Sequence, residues 1–357
     1  MKRLRIRVFS AGLALASSAV MLCAQAAPTN PHAARAAARA AQLQVEKDTP
    51  QLKIKEEILP LTIPGYTLGE TEGVSMNSKG HLFVYSRTGS VGIARGGAAA
   101  VLFEFDQNLK FVKVWGPGNY AASFAHSVRV DRYDNVWMID EGSGMIVKFD
   151  PQGNVKMVLG RKPEAIAYLQ QFVERGDKDT DLHPVGVKSL FNRETDVAWD
   201  DKDNIYVTDG YTNSRVVKLD KYGNWIKWVG TYGPGIDQFK VPHSIAYADG
   251  KLYIADRNNY RIQVYDTNLK YEKTISHVGM PWAVCISPGA KKYLWSGDGA
   301  TGKIYKLDMD GKLLGWAQTD LNQGQSYCQI HEMHCASDHV IYRGSCGMWN
   351  VEKITIQ

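Results

Sequence analysis

Six segments of the chain fall into one register: "EGVSMNSKGHLFVYSR" from Glu72, "HSVRVDRYDNVWMID" from His126, "DVAWDDKDNIYVTD" from Asp196, "HSIAYADGKLYIAD" from His243, "WAVCISPGAKKYLWSGD" from Trp282 and "HEMHCASDHVIYRGS" from His331. Each has an apolar strand, an Asp/Gly/Asn turn and a second strand carrying an aromatic. That aromatic (Phe83, Trp137, Tyr206, Tyr253, Tyr293 or Tyr342) follows the opening residue by 10 or 11 positions every time. Strand-rich repeats of about 40 to 50 residues with β-turn signals make propeller blades rather than a helical solenoid. The expected fold is therefore all-β, a six-bladed β-propeller over 51–357. Each blade needs an outer fourth strand, such as "WIKWVG" at 225–230, but the last copy runs out of chain at "VEKITIQ". Segment 51–63, "QLKIKEEILPLTI", is expected to supply that strand and close the ring, which removes exposed sheet edges.

The widest gap between openings lies between His126 and Asp196 and holds "KPEAIAYLQQFVERGD" at 162–177. Its apolar residues recur at helical intervals, so a short helical insertion is expected between blades 2 and 3. Residues 1–26 combine four basic side chains, an apolar run and Ala24-Gln25-Ala26, the pattern of a secretory signal peptide. Removing them takes the formal charge from +5 to +1 (5 − 4), which argues against a nucleic-acid partner. The expected product is exported, periplasmic or secreted, monomeric and without a membrane span. Residues 27–50 are Ala/Arg-rich and read as a solvated linker, helical at most. Cys285, Cys328, Cys335 and Cys346 remain after cleavage, which in an oxidising compartment allows a bridge in the C-terminal region with connectivity left open. They are too few for a disulfide scaffold, so a core drawn from the 44% apolar residues must carry the fold.

His126, His243 and His331 open the second, fourth and sixth repeats. Every second blade of a six-bladed ring places three imidazoles in threefold register around one channel, the ligand set of a catalytic zinc with an open fourth position. Glu72, Asp196 and Trp282 open the other three. His334 falls on the opposite face of its strand, and His81, His183, His277 and His339 share no register. After the second strands come "YSRTG", "DGYTNSR" and "ADRNNYR", which bring Arg87, Tyr211 and Arg257 to one rim, where loops on a rigid scaffold build sites.

The stretches "DGYTNSR", "VPHS" and "ADRNNYR", within a similarity strongest over 191–266, resemble the catalytic core of the peptidyl-α-hydroxyglycine α-amidating lyase family, a six-bladed propeller of NHL-type repeats. The resemblance implies zinc on His126, His243 and His331, a catalytic tyrosine at Tyr211, and catalytic, substrate-binding arginines at Arg87 and Arg257. It also implies a structural calcium in the channel, where the family's Asp is replaced by Glu332. The reaction it implies is cleavage of a carbinolamide, R–CO–NH–CH(OH)–COO⁻, to an amide and glyoxylate. Asp196 is expected on the channel as a substrate-binding or proton-relay group. A free tyrosine ionises near pH 10, so a basic Tyr211 needs positive charge beside it. Two other readings remain open at this level: a metal-dependent hydrolase or lyase of another small hydroxylated substrate, and a non-enzymatic NHL-repeat binding or scaffold protein.

Overall fold

The structure, a computed structural model, describes residues 31–88, 100–162, 190–320 and 328–357. Among them are six four-stranded antiparallel sheets whose innermost strands are Glu70–Met76, Ala125–Val130, Asp196–Trp199, Pro242–Ala248, Pro281–Ile286 and Glu332–Cys335. Each packs against the next, and the sixth packs against the first, closing a six-bladed propeller. The helical insertion expected at 162–177 lies outside the described residues except for Lys162.

The repeat spacing has a packing cause. In blades 2 and 3 the turn aspartates Asp131 and Asp200 accept main-chain N–H groups two and four residues ahead, at 2.9–3.0 Å. Their second oxygens take the indole N–H of Trp137 (3.0 Å) and the hydroxyl of Tyr206 (2.9 Å). Turn and aromatic are thus one unit of constant length, and these rings are buried between blades. One cluster of buried apolar side chains fills each of the six blade interfaces.

Ile54–Ile58 pairs antiparallel with Asn350–Ile356 as the outer strand of blade 6, so the N-terminal segment does close the ring. Leu59 and Ile63, just after it, are buried in the interface between blades 6 and 1. Burying two aliphatic side chains is worth roughly 3–6 kcal/mol. Deleting 51–63 is therefore expected to lower the thermal midpoint by on the order of 10 °C; an unchanged melting curve by circular dichroism would dismiss the closing strand.

The segment read as a solvated linker contains helix α1, Pro31–Lys47, and its last two turns are docked on the propeller. Glu46 accepts from the Tyr305 hydroxyl (2.8 Å) and pairs with Lys303, while Gln42 Oε1 accepts from Gly279 N–H (3.1 Å). The four cysteines form two bridges, Cys285–Cys335 and Cys328–Cys346. The first staples the inner strands of blades 5 and 6.

The inner strands of blades 1, 2, 4 and 5 share a bulge that skips the opening residue. Thr71 and Gly73 pair with Ser86 and Tyr85, leaving Glu72 outside the ladder, and His126, His243 and Trp282 are skipped in the same way. A bulge re-aims the extra side chain, here toward the axis. In blades 3 and 6 the ladder begins at Asp196 and Glu332, which pair with Thr208 and Gly344 just as Ser127 pairs with Ile139, and the residue before each, Thr195 or His331, donates its N–H to the carbonyl of that same partner. Asp196 is therefore the counterpart of Ser127, and Thr195 the counterpart of His126. The repeat alignment was one residue out in blade 3.

Candidate metal centre

The three histidines meet on the axis. Their ring centroids lie 4.6, 4.7 and 4.9 Å apart, and one nitrogen of each falls within 4.8 Å of the others. The opposite nitrogens are tied by one device used three times: Nδ1 of His126, His243 and His331 donates to the carbonyls of Thr195 (2.6 Å), Trp282 (2.7 Å) and Glu72 (2.8 Å). Each acceptor belongs to the blade that follows in the ring. That hydrogen bond puts a proton on Nδ1 and turns Nε2 toward the axis, the orientation a metal-ligating imidazole requires. Burial, reinforced by the neighbouring imidazoles, holds His126 well below the usual histidine range. Burial and the Arg257 charge do the same to His243. Three oriented, convergent imidazoles are a donor set that fits a metal ion. Oε2 of Glu72 lies 2.9 Å from His331 Nε2, within reach of the same centre. Burial would raise the Glu72 carboxyl, but Arg87 and His331 outweigh it and keep it below its usual value.

Above this layer stands Tyr211. Its hydroxyl is 3.2 Å from His243 Nε2 and 3.4 Å from His126 Nε2, and it accepts from Arg257 Nη1 at 3.3 Å. Guanidinium groups flank its ring, Arg193 at 4.5 Å and Arg257 at 5.2 Å. Trp282 forms a wall against His243 (5.2 Å) and Arg257 (4.5 Å). Among the described residues no carboxylate pairs with Arg257. A larger crevice of about 440 Å³ runs between α1 and blades 4 and 5, but none of the convergent histidines lines it.

An NHL-repeat family model matches residues 239–265, the blade that carries His243. A Caenorhabditis elegans protein described as a probable peptidyl-α-hydroxyglycine α-amidating lyase is 25% identical over 246 residues, 63% of each chain. Mouse NHL repeat-containing protein 3 is 31% identical over 195 residues, 51% of this chain and 50% of that one. The chain thus matches less than two thirds of the length of either. The chain is an NHL-type propeller related to the amidating lyases. Among solved structures, virginiamycin B lyase from Staphylococcus aureus superposes with a TM-score of 0.54 at 13% identity, over 86% of this chain and all of that one, a likeness of fold.

Within this relative of the amidating lyases, three expected site residues sit differently from the sequence reading. Arg87 reaches the site with its charge already matched, by Glu72 (2.8 Å) and Glu70 (2.9 Å), with Glu141 at 3.7 Å and its guanidinium against Phe124. Asp196 is buried one layer below the histidines, where Arg129, Ser127 and Ser244 occupy its oxygens (2.6–3.1 Å), and so does not face the mouth with Tyr211. Glu332, the residue expected at calcium, instead accepts from Val74 N–H (2.8 Å), Val128 N–H (3.2 Å) and Ser127 Oγ (2.8 Å) and pairs with Arg129 (2.9 Å). Burial pushes its carboxyl up to about 8, against the pull of Arg129. His334 stays outside the cluster, as strand alternation requires.

Sequence reasoning missed the Arg193–Glu141 pair and gave Glu72 no role. Arg193 sits at a left-handed φ of 64° and pairs with Glu141, which holds its guanidinium against Tyr211. Glu72 was visible as the opening residue of the first repeat. Nothing in the sequence marks Arg193.

Proposed function

We propose that the chain is an exported, zinc-dependent lyase that cleaves the N–C bond of a peptidyl-α-hydroxyglycine-like carbinolamide to an amide and glyoxylate. The observation that carries this reading is the Tyr211 hydroxyl standing over two of three convergent histidine nitrogens while accepting from Arg257. A zinc ion on His126, His243 and His331 would supply Lewis-acid stabilisation for negative charge growing on the substrate hydroxyl oxygen. The chain's own residues do the rest. Arg257 takes the substrate carboxylate through charge-assisted hydrogen bonds, and Trp282 packs beside it and limits water. Tyr211, with positive charge on both sides of its ring, removes the hydroxyl proton. As the carbonyl of glyoxylate forms, the C–N bond breaks and its electron pair goes to the amide nitrogen, which takes a proton back from Tyr211. No oxidant or reductant is needed.

Zinc analysis of the purified protein, coupled to glyoxylate release from an α-hydroxyhippurate-type compound, tests the whole reading. A zinc-free protein with no turnover would leave the NHL-type binding propeller standing. Arg257 gives a finer check. A hydrogen bond to a charged group is worth about 1.5–3 kcal/mol, so Arg257→Met is expected to lower kcat/KM by about 10- to 100-fold, chiefly through KM. With a substrate ester lacking the carboxylate charge the loss should be smaller, because only the support that Arg257 gives the Tyr211 hydroxyl is then removed. An equal loss on both substrates would remove Arg257 from carboxylate recognition.

A further inference from the structure

Each metal-facing histidine is followed by a polar residue: Ser127, Ser244 and Glu332. By the strand register these three share a second ring with Gly73, Asp196 and Ala283, one position further along the inner strands. Arg129 reaches into that ring. Its Nε lies 2.8 Å from Asp196 Oδ1 and 2.9 Å from Glu332 Oε1, Nη2 donates to Asp196 Oδ2 (2.6 Å), and Nη1 donates to the Met333 carbonyl (3.1 Å). Ser127 donates to Glu332, and Ser244 to Asp196. N–H groups of Val74 and Val128 complete Glu332, that of Ile245 completes Asp196, and that of Val284 donates to Ser244. One guanidinium, two carboxylates and two hydroxyls thereby touch all six blades. Gly73 leaves room for it, since a Cβ there would meet Val128 N at 2.6 Å and Glu332 Oε2 at 3.0 Å.

This ring does not fit the calcium that the family resemblance implies. Calcium takes six to eight oxygens at about 2.3–2.6 Å, whereas here the carboxylate oxygens already accept from N–H and O–H donors, and the cationic position holds a guanidinium. We infer that Arg129 is the axial cation of this propeller, doing with an internal charge what a divalent ion would do, and that it positions the histidine ring through the residue next to each histidine. The blades and the metal centre then hold together without calcium.

The test uses the full-length protein as purified for the calcium analysis, and the same protein stripped of metal and reloaded with zinc alone for the melting and zinc-affinity measurements. The wild type is expected to contain no stoichiometric calcium by elemental analysis, and its thermal midpoint should not move when millimolar calcium is added. Arg129→Met should lower the midpoint and weaken zinc binding, measured against a chromogenic chelator, by about 10- to 100-fold, the usual cost of losing a group that orients metal ligands. Arg129→Lys keeps the charge and should fold with most of the zinc affinity, so the comparison survives even if the Met variant does not fold. Bound calcium in the wild type, a calcium-dependent rise of its midpoint, an Arg129→Met protein with wild-type zinc affinity, or a Lys variant as impaired as the Met one would each overturn the inference. The calcium and melting readouts stand apart from the lyase reading, which could fail without affecting them.

Discussion

His243→Ala is expected to strip the protein of zinc and of lyase turnover while leaving the propeller folded. The imidazole is one of three convergent donors, and the two that remain have beside them only the Glu72 carboxylate, which is already paired with Arg87, so the site is no longer tight. The fold should survive because His243 is skipped by its strand ladder, so the pairing of blade 4 does not depend on the side chain. What the substitution removes locally is one hydrogen bond to the Trp282 carbonyl, worth about 1 kcal/mol net. Elemental analysis should therefore fall well below one zinc per chain, with a far-ultraviolet spectrum like the wild type's. Stoichiometric zinc in the variant would mean that the three-histidine centre is wrong.

Tyr211→Phe should have the opposite signature, with metal retained and chemistry lost. The substitution removes only the phenolic oxygen and keeps the ring between Arg193 and Arg257. General acid–base catalysis typically contributes about 10²–10⁴-fold, and the fall should appear in kcat with zinc content unchanged. A tyrosine that merely lined the mouth would shift KM by a small factor instead. Should Tyr211→Phe keep most of its kcat, Tyr211 is not the base, and Glu72, whose carboxylate lies 2.9 Å from His331 Nε2, becomes the next group to test.

The histidine triad was legible because a propeller turns sequence period into rotation about an axis. Once the six repeats are counted, alternate openings must converge, whatever the loops between them do. The placement of Asp196 was not legible. A one-residue offset is invisible when both neighbours, Thr195 and Asp196, are polar and the turn lengths vary between blades. That offset moves a side chain from the mouth layer to the layer below. The mouth arginines divide for a similar reason. Arg87 and Arg257 occupy the same place in the repeat, but Arg87 meets Glu70, Glu72 and Glu141, brought from blades 1 and 2, whereas Arg257 meets Trp282 and Tyr211.

By itself, then, the sequence determined the blade count, the N-terminal strand that closes the ring, and three histidines on one axis, because strand alternation and repeat length are local properties that add up in register. Only the tertiary structure decided which polar groups are already satisfied. The engagement of Asp196 and Glu332 with Arg129, of Arg193 with Glu141, and of each histidine Nδ1 with the carbonyl of the next blade depends on residues far apart in the chain meeting at blade interfaces. A buried charge must find its partner across such an interface, and no pattern within one repeat records which partner the neighbouring blade will present.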